Sequence, residues 1–130
     1  MVLKDYPLNP NCNPASSMLH PAACHAAVAV RLARDHNRGP EMEDWLYTHQ
    51  PEMTVDSVKQ AARDVGQVTD FDAKYAATLE LVKGDVALGT QLDIHSTPTF
   101  FINGVKVEGE WATQYFDEAI AYELQHPPAQ

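Results

Sequence analysis

The sequence predicts a single α/β domain, and three observations carry that prediction. A short run that reads as a strand opens the chain at Val2–Tyr6. Several segments between His20 and Leu92 then repeat apolar residues at helical spacing. Finally, two β-prone runs flank Asn103-Gly104, and one more helical segment follows. The order is strand, helices, hairpin, helix. At 130 residues the chain is one domain long enough for its own hydrophobic core.

Val2 to Tyr6 reads as a strand stopped by Pro7. Leu8 to Leu19 is rich in Asn, Pro and Ser, the residues that punctuate a backbone with turns, and reads as a loop. His20-Pro21 opens a helix to about Asp35, because proline fits a first helical turn whose N–H would lack a partner anyway. Ala23, Ala26, Ala27, Val30 and Ala33 form its packing stripe, and Arg31, Arg34 and Asp35 face away. Asn37-Arg38-Gly39-Pro40 ends it.

Glu41 to Gln50 is a short helix with Met42, Trp45, Leu46 and His49 on one side. Glu41, Glu43 and Asp44 crowd its first turn, where negative charge suits the helix dipole. Thr54 caps the next helix, with Val55, Val58, Ala62 and Val65 inward and Gly66 as terminator. Thr69 and Asp72 have capping-box spacing and open a long helix, whose apolar face is Phe71, Tyr75, Leu79, Val82, Val86 and Leu92. Gly84 and Gly89 each cost about 1 kcal/mol against Ala, which predicts a kink or break near Gly84.

Asn103-Gly104 between Thr99–Ile102 and Val105–Val107 is a strong hairpin signal, since a type I′ turn needs positive φ at both central residues. Thr113 to Gln125 is the last helix, with Phe116, Ile120 and Leu124 inward. His126-Pro127-Pro128 reads as a frayed tail.

Net charge is −9 and no Lys/Arg run occurs, which argues against nucleic acid or an anionic membrane surface as partner. No apolar run reaches the ~20 residues of a membrane span, so this segment is not expected to insert. The first residues lack the charged and apolar regions of a signal peptide. No cofactor site and no catalytic carboxylate pair stand out.

Cys12 and Cys24 are the two cysteines. Their spacing matches neither a zinc ribbon nor a Cys-x-x-Cys pair. Three states stay open: a structural disulfide pinning the loop to the helix, which is the preferred reading; two free thiols; or a displaced redox pair. A metal site built from His20, Cys24, His25 and Cys12 matches no standard ligand spacing, and no metal is predicted. Trp45 and Trp111 read as core or groove residues, and His95 as an idle neighbour of the proline loop.

Ser96-Thr97-Pro98-Thr99-Phe100-Phe101-Ile102-Asn103-Gly104 resembles the cis-proline loop and following strand of thioredoxin-fold proteins, most closely DsbA-like thiol-disulfide oxidoreductases. Lys4-Asp5-Tyr6-Pro7-Leu8 is similar to the strand after that family's active-site helix. His20-Pro21-Ala22-Ala23 and Glu43-Asp44-Trp45-Leu46-Tyr47 are similar to its helical region. The order of these segments resembles in particular the domains fused to vitamin K epoxide reductase homologues.

The resemblance implies a thioredoxin-like fold with a helical insertion, lacking the family's first strand and the start of its active-site helix. It implies that Ser96, Thr97 and Pro98 bind an extended peptide substrate. It also implies an extracytoplasmic location. The family's Cys-x-x-Cys is absent, so the expected activity of this chain alone is nil. The alternative is a non-redox peptide-binding or oligomerising module. In the family's sheet the absent strand lies between those corresponding to Val2–Tyr6 and Thr99–Ile102. Three repairs are open for the unpaired backbone there: the two strands close up, the edge recruits another subunit, or the chain is a fragment whose missing part was removed; a homo-oligomer that covers the edge is the one predicted.

Overall fold

The computed structural model describes residues 1–126. The tail expected at Pro127-Pro128 lies outside the described residues. The chain divides into two compact units, Met1–Leu92 and Asp93–Gln130.

The first unit is helical. Its helices are α1 (Ala23–Asp35), α2 (Gly39–Thr48), α3 (Val55–Asp64) and α4 (Phe71–Gln91), with a 3-10 turn at Gln50–Glu52. α1 packs against each of the other three. Its alanine-rich sequence explains this central place, because small side chains let neighbouring helices approach. Contact on three sides widens the buried arc beyond one stripe. Val28, Ala29, Leu32 and Ala33 are therefore all buried, together with Met42, Val58, Ala62 and Val82 from the surrounding helices. Arg31, expected to face away, instead reaches Asp5 and Asp85.

Helix boundaries follow local chemistry with several corrections. Gly39-Pro40 starts α2 rather than only ending α1, with proline in the first turn. Thr54 and Ser57 form a reciprocal capping box on α3. After α3 the left-handed residue is Gln67 (φ 57°), not Gly66. Gly66 serves another need: a Cβ there would lie 2.7 Å from the Ala62 carbonyl oxygen. α4 is capped at Asp70 without a side-chain bond, so Thr69 and Asp72 do not form a box. α4 also runs unbroken through Gly84. Buried Val82, Asp85 and Val86 anchor both sides of that glycine, and tertiary packing outweighs its ~1 kcal/mol cost.

Val2–Tyr6 is not a strand. Among the described residues it has no strand neighbour, and a β-prone run without a ladder partner gains nothing from pleating. Its polar groups turn elsewhere: the Asp5 N–H and the Lys4 ammonium both donate to the Asp85 carboxylate. The following loop is held by two fully buried asparagines. Asn9 Nδ2 donates to the carbonyls of His20 and Pro21, and Asn13 Nδ2 donates to that of Pro7.

The second unit contains the hairpin β1 (Thr99–Ile102) and β2 (Val105–Glu108), followed by α5 (Thr113–Gln125). The strands pair antiparallel, with Ile102 opposite Val105 and Thr99 opposite Glu108. Asn103 and Gly104 both have positive φ, at 46° and 85°, as the two-residue turn requires. The described sheet is two-stranded. Phe100 packs edge-on against Phe116, and Trp111 packs on Phe116. Ile120 and Leu124, expected inward, are 48% and 78% exposed. A two-stranded ribbon covers only the first turn of the helix face that the periodicity marks out.

Candidate functional site

The proline loop sits at the entrance to β1. Ser96 and Thr97 are exposed and Pro98 is half-buried. The Thr97–Pro98 peptide is cis. Thr99 Oγ1 donates to the Ser96 carbonyl at 2.6 Å and folds the loop onto the strand. The Gly109 N–H donates to the Pro98 carbonyl at 2.8 Å, extending the hairpin ladder by one pair. Among the described residues, neither the N–H nor the C=O of Thr97 has a hydrogen-bond partner. The three sequence-predicted substrate residues thus form one exposed turn with an uncommitted peptide group at its centre. Beside it, His95 Nε2 lies 3.1 Å from Asp93 Oδ1, and Lys106 Nζ donates to the Asp93 carbonyl.

The cysteines lie in the first unit, where Cys12 and Cys24 form a disulfide with Cα atoms 6.0 Å apart. Both residues are 2% exposed, and neither is a free thiol. Of the three states open from the sequence, two free thiols do not occur: the pair is bridged. With both sulfurs bonded to each other, the His20, His25, Cys12 and Cys24 set offers no thiolate ligand. Among the described residues, no cluster of three or more His, Cys, Asp or Glu side chains gathers around a common point.

Two groupings escape sequence reading. The first joins Asp85 of α4, Arg31 of α1, and Lys4 and Asp5 of the leading segment. Asp85 accepts from Lys4 Nζ at 2.9 Å, from the Asp5 N–H at 3.0 Å and from Arg31, which also pairs with Asp5. Burial pushes the Asp85 pKa up, but the Lys4 and Asp5 hydrogen bonds and the Arg31 charge outweigh it and hold the carboxyl below its ordinary value. The sequence held one clue: Asp85 lies at helical spacing among apolar Val82, Val86 and Gly89. A carboxylate on such a face needs a cation, but nothing local says which.

The second is His25, stacked on Tyr75 with ring centroids 4.5 Å apart. Its Nδ1 is buried and unpartnered. Burial lowers its pKa below 6.5, the nearby Lys59 charge lowers it further, and Asp72 opposes them. A histidine whose folded pKa is depressed binds fewer protons folded than unfolded below the ordinary value. Stability is therefore full above about pH 6.5 and declines as pH falls from there toward the folded pKa. His25→Phe keeps the stacking and removes the titration. Urea unfolding at stepped pH between 7 and 5 is expected to show a decline in the wild type that is shallower in the variant. Equal slopes would contradict this assignment.

The comparisons with known proteins extend these observations. A 97-residue stretch, 71% of this chain, is 31% identical to a protein named Na(+)/H(+) antiporter NhaA 1 from Mycobacterium sp. (strain KMS). The same identity holds for its counterpart in Mycolicibacterium gilvum (strain PYR-GCK), and 29% for that in Mycolicibacterium vanbaalenii. The match spans 16% of each relative's length. No solved structure gives a significant match. The profile described as thioredoxin matches residues 2–121, from the leading segment into α5. By that match over nearly its whole length, the chain belongs to the thioredoxin family.

Proposed function

We propose that this chain is a DsbA-type thiol-disulfide oxidoreductase-like domain that presents a peptide-binding loop at Ser96, Thr97 and Pro98 and performs no thiol exchange by itself. One observation carries the reading: the only two cysteines are spent in a buried disulfide. Exchange needs an accessible thiolate, usually one stabilised at a helix N-terminus. Cys12 and Cys24 at 2% exposure present none. The match to a sixth of longer, antiporter-named relatives supports a module that works as one part of a larger polypeptide. A Cys-x-x-Cys supplied from elsewhere in such a polypeptide would complete the site. The disulfide supports an extracytoplasmic location, since such bonds persist in oxidising compartments.

Insulin reduction with dithiothreitol tests this. The chain is expected to leave the uncatalysed rate unchanged. Acceleration that disappears in Cys24→Ala would overturn the reading and restore the displaced redox pair.

The unpartnered Thr97 peptide group favours a second reading, a non-redox module that holds an extended peptide by backbone pairing. Peptide binding weakened by Pro98→Ala is expected under both readings; a longer parent polypeptide that binds peptide, carries no Cys-x-x-Cys and leaves insulin reduction unchanged would select this alternative.

A further inference from the structure

We infer that the peptide held at Ser96, Thr97 and Pro98 is a basic one, an extended segment with lysine or arginine beside the residue that pairs with Thr97. The inference rests on the peptide-binding reading proposed above and adds the chemical class of the ligand.

The loop itself recognises backbone, not charge. Among the described residues the Thr97 N–H and C=O have no partner, and they suit any extended segment. Ser96 through Val105 contains no charged residue. Discrimination by charge therefore falls to the residues that flank the loop.

Those flanks are carboxylates. Asp93 precedes the loop and is exposed. Glu108 stands opposite Thr99 in the ladder. The Gly109 N–H bonded to the Pro98 carbonyl brings the next residue, Glu110, beside the loop. From Asp93 onward the sequence holds six carboxylates and one lysine, Lys106. That lysine is already committed: its Nζ lies 3.2 Å from Glu108 Oε1 and donates to the Asp93 carbonyl. His95 lies against Asp93, and an imidazole cancels that charge only when protonated. Glu110 has no ion pair among the described residues. No basic side chain is left to receive an acidic ligand, whereas a basic one supplies counter-charges that the flank lacks. Complementary charge at the rim of a site acts on partner choice and encounter rate, and salt screens it.

Fluorescence anisotropy on the full chain tests this with three extended Val/Thr-rich peptides. They are identical except for two lysines, two serines or two glutamates flanking the central residue. The expected order of affinity is lysine, serine, glutamate, with a span of about tenfold at low salt that narrows at high salt. Excess serine peptide should displace the lysine peptide, because both use the Thr97 backbone. Glu110→Lys is expected to reduce the span about threefold, while Glu52→Lys, the same change of net charge in the first unit, leaves it unchanged. Equal affinities that fall together in Pro98→Ala overturn the inference and leave the peptide-binding reading standing. Tighter binding of the glutamate peptide, equal effects of the two lysine variants, or lysine-peptide binding that serine peptide cannot displace also overturn it. Binding of none of the three overturns both.

Discussion

Replacing Cys12 and Cys24 together by alanine is expected to destabilise the first unit by about 3 kcal/mol. The bridge closes a loop between residues twelve positions apart, and the chain-entropy estimate for a loop of that size gives this figure. With a urea m-value of about 2 kcal/mol/M, the unfolding midpoint drops by about 1.5 M. The fold itself is expected to survive. Asn9 and Asn13 hold the same loop through bonds to His20, Pro21 and Pro7 that do not involve sulfur. Reduction of the wild type should match the alanine variant at equilibrium, but slowly, because both cysteines are buried. An unchanged midpoint would mean that the asparagine network alone determines the loop.

Arg31→Met is expected to cost about 2–3 kcal/mol, the second largest effect. Removing one partner of a buried ion pair costs about 3–5 kcal/mol at full burial, and Arg31 is partly solvated. Its loss leaves Asp5 and Asp85 facing each other with Lys4 as the remaining cation. Lys4→Ala should cost about 0–1 kcal/mol, because Lys4 is more than half exposed and surface pairs are weak. Asp85→Asn should fall between the two.

The pH dependence separates a charge effect from lost packing. Asp85 has a folded pKa below its ordinary value of 3.8, so its contribution is complete above that value. It is lost as pH falls through the folded pKa. Acid unfolding of Asp85→Asn should lack this component. An Asp85→Asn curve parallel to the wild type would contradict the assignment.

The cluster shows why sequence reading stopped where it did. Lys4 and Asp5 read as part of a strand over Val2–Tyr6, and Arg31 as the solvated side of a helix. Each follows from side-chain type and spacing alone, and the structure overturns both. What joins them is the crossing of α1 and α4 beside the leading segment, and no periodicity encodes that. The same limit applies to α5. Phe116, Ile120 and Leu124 are spaced as one face, but spacing cannot say how much surface is present to cover it.

Gly84 erred in the other direction. Its propensity argues for a break, but buried residues on both sides hold the helix together. The loop asparagines were legible as turn formers, though not as the buried posts that they are.

Features that depend on neighbouring residues are legible without the fold. The hairpin turn at Asn103-Gly104, the capped start of α3 and the span of α5 each follow from local backbone preference, whereas the Ser96–Pro98 loop was legible only through the family resemblance. The absence of a Cys-x-x-Cys is legible there too, and with it the expected chemistry. Tertiary packing settles that Cys12 meets Cys24, that Arg31 turns inward, that Val2–Tyr6 is not a strand and that β1 pairs only with β2 among the described residues. These depend on which distant groups come within bonding range. A strand exists only with a partner, and a charge is buried only beside its counter-charge.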